Sequence, residues 1–265
     1  MRIVLLSRFP RFDKLRWKED LLLGLDRLGA RPTALVYDST SLADQLEEGV
    51  KRYGIGGVAG KLGSLLGKPR TGAPSGLGRR LERVAEEIGV PVHRVASHND
   101  ERAKALLESL APDVLVLLGT RIIRKHVLAI PRLGTLNPHY GPLPDVRGMN
   151  ATEWALWLGK PLGVTIHTVV PEVDQGGILA FEPFAPEPGD DLAALRRKCQ
   201  NAACRALLEV VGRALKGSLD PRPQSPAEGK QYFSMNRALR EKLEASLRAA
   251  ISSGRAGSSS RPRRT

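Results

Sequence analysis

Residues 100–118, DERAKALLESLAPDVLVLL, join a helical pattern to an unbroken apolar run. Apolar residues recur at three- and four-residue spacing over 100–110, which is the spacing of a helix with one buried face. The run over 113–118 is too uniformly apolar for a strand with one face in water, so it predicts a strand buried on both faces. The stretch therefore predicts a helix that leads into a buried strand of a covered sheet.

The same alternation continues toward both ends of the chain. Further strands are predicted over residues 3–7, 33–37 and 90–95, and further helices over residues 18–28 and 77–88. Beyond residue 133 we expect two less regular strands, 163–170 and 178–184, and then helices over 192–215 and 236–251. The predicted fold is α/β, a Rossmann-like open, mostly parallel twisted sheet with helices on both faces.

The net charge of +13 is concentrated in two segments. Residues 51–80 carry seven Lys or Arg and residues 252–265 carry four Arg, with no acid in either, which leaves +2 on the rest of the chain. Because the body is nearly neutral, no specific nucleic-acid partner is expected. Nine glycines and two prolines over 51–80 predict a mobile insertion, with phosphate or partner binding left open, and 252–265 is predicted to be a disordered tail.

Membrane and metal chemistry are not expected. The longest apolar runs are far shorter than the ~20 residues that span a bilayer, so we predict a soluble, cytoplasmic protein without a membrane span. Cys199 and Cys204 lie in a predicted helix without His or further Cys at metal-ligand spacing, and we expect buried thiols. A homodimer is left open.

A second segment, residues 135–146, places Asn137 and His139 two apart just after a predicted strand. Residues two apart in an extended segment point to one side, so both can face one cavity. An amide donor beside an imidazole suits a reaction in which negative charge develops on a carbonyl oxygen. Asp174, in the bend after the strand that contains His167, can hold His139 charged and relay protons. On these grounds alone, an Asn and a His beside prolines are more often turn residues than catalysts.

The strings LNPHYGPLPDVRG (136–148) and GVTIHTVVPEVDQGGIL (163–179) resemble the formyltransferase family. In that family an Asn-x-His pair precedes a Leu-Pro-x-x-Arg-Gly loop, and a Gly-x-Thr-x-His strand leads into an Asp-x-Gly-x-Ile turn. Every position of this pattern is filled here: Asn137, His139, Leu143, Pro144, Arg147, Gly148, Gly163, Thr165, His167, Asp174, Gly176 and Ile178. The resemblance is specific over residues 119–179 and implies a formyltransferase catalytic domain over 1–217, with an appendage carrying a helix over 218–251.

The resemblance also implies roles for these residues. Asn137 and His139 would bind the oxyanion formed when an amine attacks the formyl carbon, and Asp174 would assist proton transfer through an ordered water. Residues placed around them are Thr165 and His167, which would position the Asp174 loop, and Arg147, whose loop would help close the site. The formyl donor would be 10-formyltetrahydrofolate, and no metal would take part. The pterin of the donor would lie between two backbone segments. One segment contains Gly119, Thr120, Arg121, Ile122 and Ile123, and the other is residues 170–173, including Val170 and Val173.

The acceptor is expected to be a small-molecule amine. Ser7, Arg8, Phe9 and Pro10 follow the first strand where glycinamide ribonucleotide formyltransferases carry a Gly-Asn-Gly-Ser-type phosphate loop, and the residues after Pro223 do not resemble the C-terminal barrel of methionyl-tRNA formyltransferases. The Tyr232 region and the helix after it resemble the short appendage of formyltransferases that act on nucleotide-linked amino sugars or on other small amines. Alternatives are a formyltetrahydrofolate hydrolase, activity on methionyl-tRNA or glycinamide ribonucleotide, and an inactive member that binds an anionic partner through its basic loop.

Overall fold

The structure is a computed structural model that describes residues 1–8, 16–38, 81–217 and 219–252. The insertion predicted over 51–80 lies outside these residues, as does the tail predicted over 252–265 apart from Ser252. The first four residues of the helix predicted over 77–88 also lie outside them.

The described residues form nine strands and seven helices. The strands are β1 (Ile3–Arg8), β2 (Ala34–Asp38), β3 (Val92–Val95), β4 (Val114–Leu118), β5 (Gly134–His139), β6 (Val146–Gly148), β7 (Gly163–Thr168), β8 (Ile178–Pro183) and β9 (Lys230–Tyr232). The helices are α1 (Arg16–Arg27), α2 (Leu81–Glu87), α3 (Glu101–Leu110), α4 (Lys125–Leu128), α5 (Ala151–Trp157), α6 (Leu192–Leu215) and α7 (Arg237–Ser252).

A seven-stranded sheet lies at the centre, in the order β3-β2-β1-β4-β5-β7-β8. The first five strands of that order run parallel, whereas β7 is antiparallel to both β5 and β8. The predicted open, mostly parallel sheet is therefore confirmed, and the two less regular strands expected after residue 163 are the antiparallel β7 and β8.

The unbroken apolar runs form strands with two buried faces. On β1, Ile3 and Leu5 join one core cluster while Val4 and Leu6 join another, because successive side chains of a strand point to opposite faces. Residues of α1, α2 and α6 cover the first face, and residues of α3 and α4 cover the second. Each layer buries apolar surface that a strand alone would leave in water.

Two helices begin at acidic caps. The Asp100 carboxylate accepts a hydrogen bond from the Ala103 amide at the start of α3, and Asp191 does the same for Ala194 at the start of α6. Each satisfies an amide that has no partner inside its helix.

The residues that follow the main sheet pack back onto the segment after His139. Strand β9 pairs in parallel with β6, which makes a second, two-stranded sheet. Helix α7 contributes Leu243 and Leu247 to a third core cluster, which also contains Val146 of β6 and Ala155 of α5. The appendage therefore shares a core with the residues around the predicted site.

The parallel strands β1, β4 and β5 end at a common edge of the sheet, where open α/β sheets bind ligands. Asn137 and His139 lie within the last half of β5, not after a strand as the sequence analysis expected. They belong to the strand because β7 pairs with it there, His167 opposite Asn137 and Thr165 opposite His139. Within the described ranges, no helix is long and apolar enough to cross a membrane.

Candidate active site

Asn137 and His139 occupy neighbouring places on one side of β5. The Asn137 Nδ2 atom lies 3.0 Å from Nε2 of His167, and the His139 Nε2 atom lies 2.8 Å from the carbonyl oxygen of Val146. The two imidazole rings meet edge to face, with centroids 6.2 Å apart. The His167 ring therefore contacts both Asn137 and His139.

Asp174 completes the group from the turn between β7 and β8. Its Oδ2 atom accepts a 2.8 Å hydrogen bond from the Gly148 amide and lies 3.4 Å from Nδ1 of His139. Its Oδ1 atom lies 3.7 Å from Nε2 of His167. The structure thus brings Asp174 directly to His139 and His167.

His167 is held as a neutral ring. Burial of the side chain lowers its pKa to about 4, with the nearby His139 acting in the same direction and Asp174 and the Thr168 carbonyl opposing it. The Nδ1 hydrogen is donated to the Thr168 carbonyl at 2.7 Å, so Nε2 is left as an acceptor. That nitrogen can receive one hydrogen of the Asn137 amide, which orients the amide and leaves its second hydrogen for another acceptor.

His139 differs in one respect from the role implied by the family resemblance. Its Nε2 hydrogen is donated to the Val146 carbonyl, and its Nδ1 faces Asp174. The ring is only 5% exposed. Donation from His139 to a substrate oxygen therefore requires the ring to leave one of these two partners, whereas the second hydrogen of Asn137 is available without any rearrangement.

Comparison with known proteins identifies the family. The formyl transferase family model matches residues 65–211, which is more than half of the chain. The chain belongs to that family. The methionyl-tRNA formyltransferase of Acidothermus cellulolyticus is 32% identical over 170 residues, which cover 62% of this chain and 52% of that protein. The chain spans about half the length of the curated relatives it matches.

Two solved structures of the family share the fold. Phosphoribosylglycinamide formyltransferase from Anaplasma phagocytophilum is 17% identical, with a TM-score of 0.60 and coverage of 89% of this chain and 98% of that one. Formyltransferase PseJ from Anoxybacillus kamchatkensis, in complex with UDP-4,6-dideoxy-4-formamido-L-AltNAc and tetrahydrofolate, is 21% identical, with a TM-score of 0.51 and coverage of 66% and 93%. At these identities the likeness shows the fold.

The residues implied to form the pterin slot lie on two segments that approach each other. Gly119 follows β4 with a φ of +80°, a conformation that favours glycine. Beyond it, Ile123 is buried and Ile122 is 77% exposed, so an apolar side chain stands at the surface. On the other segment, Val169 packs against the core cluster that contains Ile123, and Val173 is 39% exposed. Each segment therefore carries an exposed apolar side chain, Ile122 on one and Val173 on the other.

Asn99 is a residue of this region that the sequence analysis missed. Its amide donates to the Ile122 carbonyl at 2.9 Å and accepts from the Arg124 amide at 2.7 Å, while its own carbonyl lies 3.1 Å from Nε2 of His126. Nothing in the sequence distinguishes Asn99 from an ordinary polar residue before a helix cap. The structure shows that it fixes the backbone beside the predicted slot.

Thr165 and Arg147 hold loops around the site. The Thr165 hydroxyl donates to the Gly141 carbonyl at 2.7 Å and accepts from the Leu143 amide at 3.1 Å. Its hydrogen bonds therefore run to the loop after His139, and not to the Asp174 turn that the resemblance assigned to it. Arg147 is only 3% exposed and donates to the Ser225 carbonyl at 3.0 Å, so it is a buried anchor and not a surface cation.

Metal binding has no candidate in the part of the chain that the structure describes, since no three His, Cys, Asp or Glu side chains there are arranged to hold an ion. Cys199 and Cys204 are buried on α6, and burial raises the pKa of both thiols to about 11. They are therefore poor nucleophiles near neutral pH.

Proposed function

We propose that the chain transfers a formyl group from 10-formyltetrahydrofolate to the primary amine of a small acceptor. The observation that carries the proposal is the placement of Asp174 Oδ2 3.4 Å from Nδ1 of His139, beside an Asn137 amide whose orientation is fixed by neutral His167. Membership of the formyl transferase family supports the same reaction.

The chemistry needs an oxyanion donor and a proton path. The amine nitrogen attacks the formyl carbon, and the negative charge that develops on the formyl oxygen is stabilised by the second hydrogen of the Asn137 amide. The attacking nitrogen gives up a proton, and N10 of the folate takes one as the carbon–nitrogen bond breaks. Asp174 and His139 form the acid and base pair that moves these protons, because an ionised carboxylate beside an imidazole can accept and return one.

The donor would lie against the two segments that carry Ile122 and Val173. A flat pterin can be covered by apolar side chains such as Ile122 and Val173 while its polar edge bonds to backbone. The Asn99 hydrogen bonds to Ile122 and Arg124 would keep that backbone in place before the donor arrives. A slot prepared in this way loses little entropy on binding.

The acceptor we favour is a nucleotide-linked amino sugar. The PseJ structure supports this class, since it holds a nucleotide-linked formamido sugar together with tetrahydrofolate. Ser7 and Arg8 at the end of β1 lack the glycines expected for a glycinamide ribonucleotide site. The acceptor would approach from the carboxyl edge of β1 and β4, where Ser7 and Leu118 lie side by side.

The test is a formyl-transfer assay with the full chain. The protein is incubated with 10-formyltetrahydrofolate in parallel reactions, each with one acceptor: a nucleotide-linked amino sugar, glycinamide ribonucleotide, methionyl-tRNA or none. The products of each reaction are identified by mass spectrometry. A formylated amino sugar supports the proposal, whereas tetrahydrofolate released at the same rate without any acceptor identifies a hydrolase and rejects it.

Matched variants test the site itself. His139→Ala should lower turnover by about 10²- to 10⁴-fold, which is the usual contribution of a group that moves protons in the transition state. His93→Ala, on the partly exposed strand β3, serves as the control and should retain wild-type turnover. Equal turnover in both variants would show that His139 has no part in the chemistry.

A further inference from the structure

Arg222 and Gln224 of the appendage bond to the turn that carries Asp174 and to the residue just after it. Ile178, just after that turn, exchanges two 2.8 Å backbone hydrogen bonds with Arg222. Strand β9 then pairs with β6, whose Gly148 amide holds the Asp174 carboxylate. The appendage therefore contacts segments on both sides of Asp174.

One side chain of this segment reaches the turn itself. The Gln224 Nε2 amide donates to the carbonyl oxygen of Asp174 at 3.0 Å and also donates to the carbonyl oxygen of Gly176. Its Oε1 atom lies 3.4 Å from Nη2 of Arg147, and the same Arg147 nitrogen donates to the Ser225 carbonyl. A buried arginine next to Gly148 thus anchors the glutamine that ties down the Asp174 backbone.

The turn requires external support because its backbone is strained. Asp174 has a φ of +53°, in the left-handed region where a residue with a Cβ costs of order 1 kcal/mol and persists only when its surroundings hold it. Two residues later, a Cβ on Gly176 would lie 1.7 Å from the Thr168 carbonyl oxygen, so the turn presses directly against β7. Gln224 bonds to the carbonyls on either side of this close approach.

The Asp174 carboxylate is therefore fixed from two directions. Gly148 holds the side chain, and Gln224 holds the backbone that carries it. We propose that Gln224 is a positioning residue for catalysis, which keeps the Asp174 carboxylate beside His139. This inference rests on the proposed formyl transfer and extends it, because it assigns part of the site to the appendage. A displacement of about 1 Å can lower a catalysed rate by as much as 10²-fold.

The first test replaces the amide with an apolar group of similar length. Gln224→Leu should lower kcat for formyl transfer by about 10- to 100-fold with a much smaller change in KM for the donor. Gln231→Leu, at an exposed position on β9 of the same appendage, is the control and should match the wild type. Because a smaller folded fraction would also lower the apparent kcat without changing KM, the folded fraction of each variant is measured by circular dichroism and kcat is referred to folded protein.

The second test uses a side chain that can donate only when it is protonated. In Gln224→Glu, the carboxylate cannot donate to the two carbonyls, but a neutral carboxyl can donate to one of them. The ratio of its kcat to that of the wild type should rise as the pH falls from about 8 to about 5, whereas the ratio for Gln224→Leu should stay flat. If Gln224→Leu does not fold, the pH dependence of the glutamate variant decides the question alone.

The outcomes separate this inference from the proposed function. Suppose that the wild-type chain transfers formyl groups. If Gln224→Leu is then as fast as Gln231→Leu, or if the kcat ratio of Gln224→Glu to the wild type does not depend on pH, the role of Gln224 is overturned and the proposed function stands. A wild-type chain without transfer to any amine overturns the function. In that case, amide hydrogen exchange over residues 172–177 still tests the clamp: exchange about 10-fold faster in Gln224→Leu supports it, and unchanged exchange overturns it.

Discussion

The buried His167 should make the stability of the protein depend on pH in a way that one substitution removes. Its pKa is lowered from 6.5 to about 4 in the folded protein, chiefly by burial. In the unfolded chain the ring takes up a proton near pH 6.5, so the unfolded state binds more protons at any pH between these values. The free energy of unfolding should therefore fall as the pH is lowered through this range.

The size of the effect follows from the pKa difference. Each unit of pKa difference corresponds to about 1.4 kcal/mol, so His167 alone should remove about 3 kcal/mol of stability between pH 7 and pH 4. A contribution of that size is a large fraction of the stability of an ordinary domain. Protonation would also turn Nε2 from an acceptor into a donor, and the Asn137 amide would lose its partner.

The assay is urea unfolding followed by tryptophan fluorescence at several pH values, for the wild type and for His167→Gln. The glutamine can still accept from Asn137 but does not ionise. His98 is present in both proteins, and burial also lowers its pKa, so its contribution cancels in the comparison. The wild type should lose about 3 kcal/mol more than the variant on going from pH 7 to pH 4. Parallel curves for the two proteins would refute the reasoning.

Three further predictions concern the site. Asp174→Asn keeps the oxygen that accepts from the Gly148 amide but removes the charge, so turnover should fall by about 10²-fold. The affinity for tetrahydrofolate, measured by calorimetry, should change little, and a large loss of affinity would contradict the assignment of Asp174 to proton transfer. Asn99→Ala removes two hydrogen bonds of about 1 kcal/mol each, so the Kd for tetrahydrofolate should rise by about 10-fold with a smaller change in kcat. An unchanged Kd would show that Asn99 does not support the backbone of the donor site. Gly176→Ala should lower the free energy of unfolding by about 3 kcal/mol because the added Cβ would collide with strand β7. Gly212→Ala on α6 is the control and should not destabilise the protein, since the space around Gly212 is open. Equal denaturation midpoints for the two variants would refute the steric argument.

The main sheet could be predicted from sequence because its strands are buried on both faces. Runs such as Val114–Leu118 are recognisable without any knowledge of their partners. The reversed direction of β7, which makes its pairings with β5 and β8 antiparallel, was not predicted, since local pattern does not reveal which edge of a sheet a strand joins or in which direction.

The grouping of Asn137, His139 and Asp174 was expected from motif spacing, and the structure places the three close together. Their catalytic roles remain predictions. The bond from His139 to the Val146 carbonyl could not be foreseen, because it depends on how the loop between them turns back. Gln224 was missed for a similar reason: it lies 50 residues from Asp174 in sequence, and a lone glutamine after a proline carries no local signal.

The pairing of β6 with β9 has a consequence for the order in which the protein matures. Residue 146 pairs with residue 230, whereas the last strand of the main sheet ends at Pro183. As a chain emerges from the ribosome, the central sheet can assemble while the partner of β6 has not yet been made. Arg147 lacks its Ser225 partner, and Gly148 its partner strand, until the residues around 225–232 arrive. A nascent chain should thus pass through a stage in which the sheet is folded but the Asp174 turn lacks its contacts with the appendage. Enzymatic activity should therefore appear late in synthesis, after the sheet has become compact.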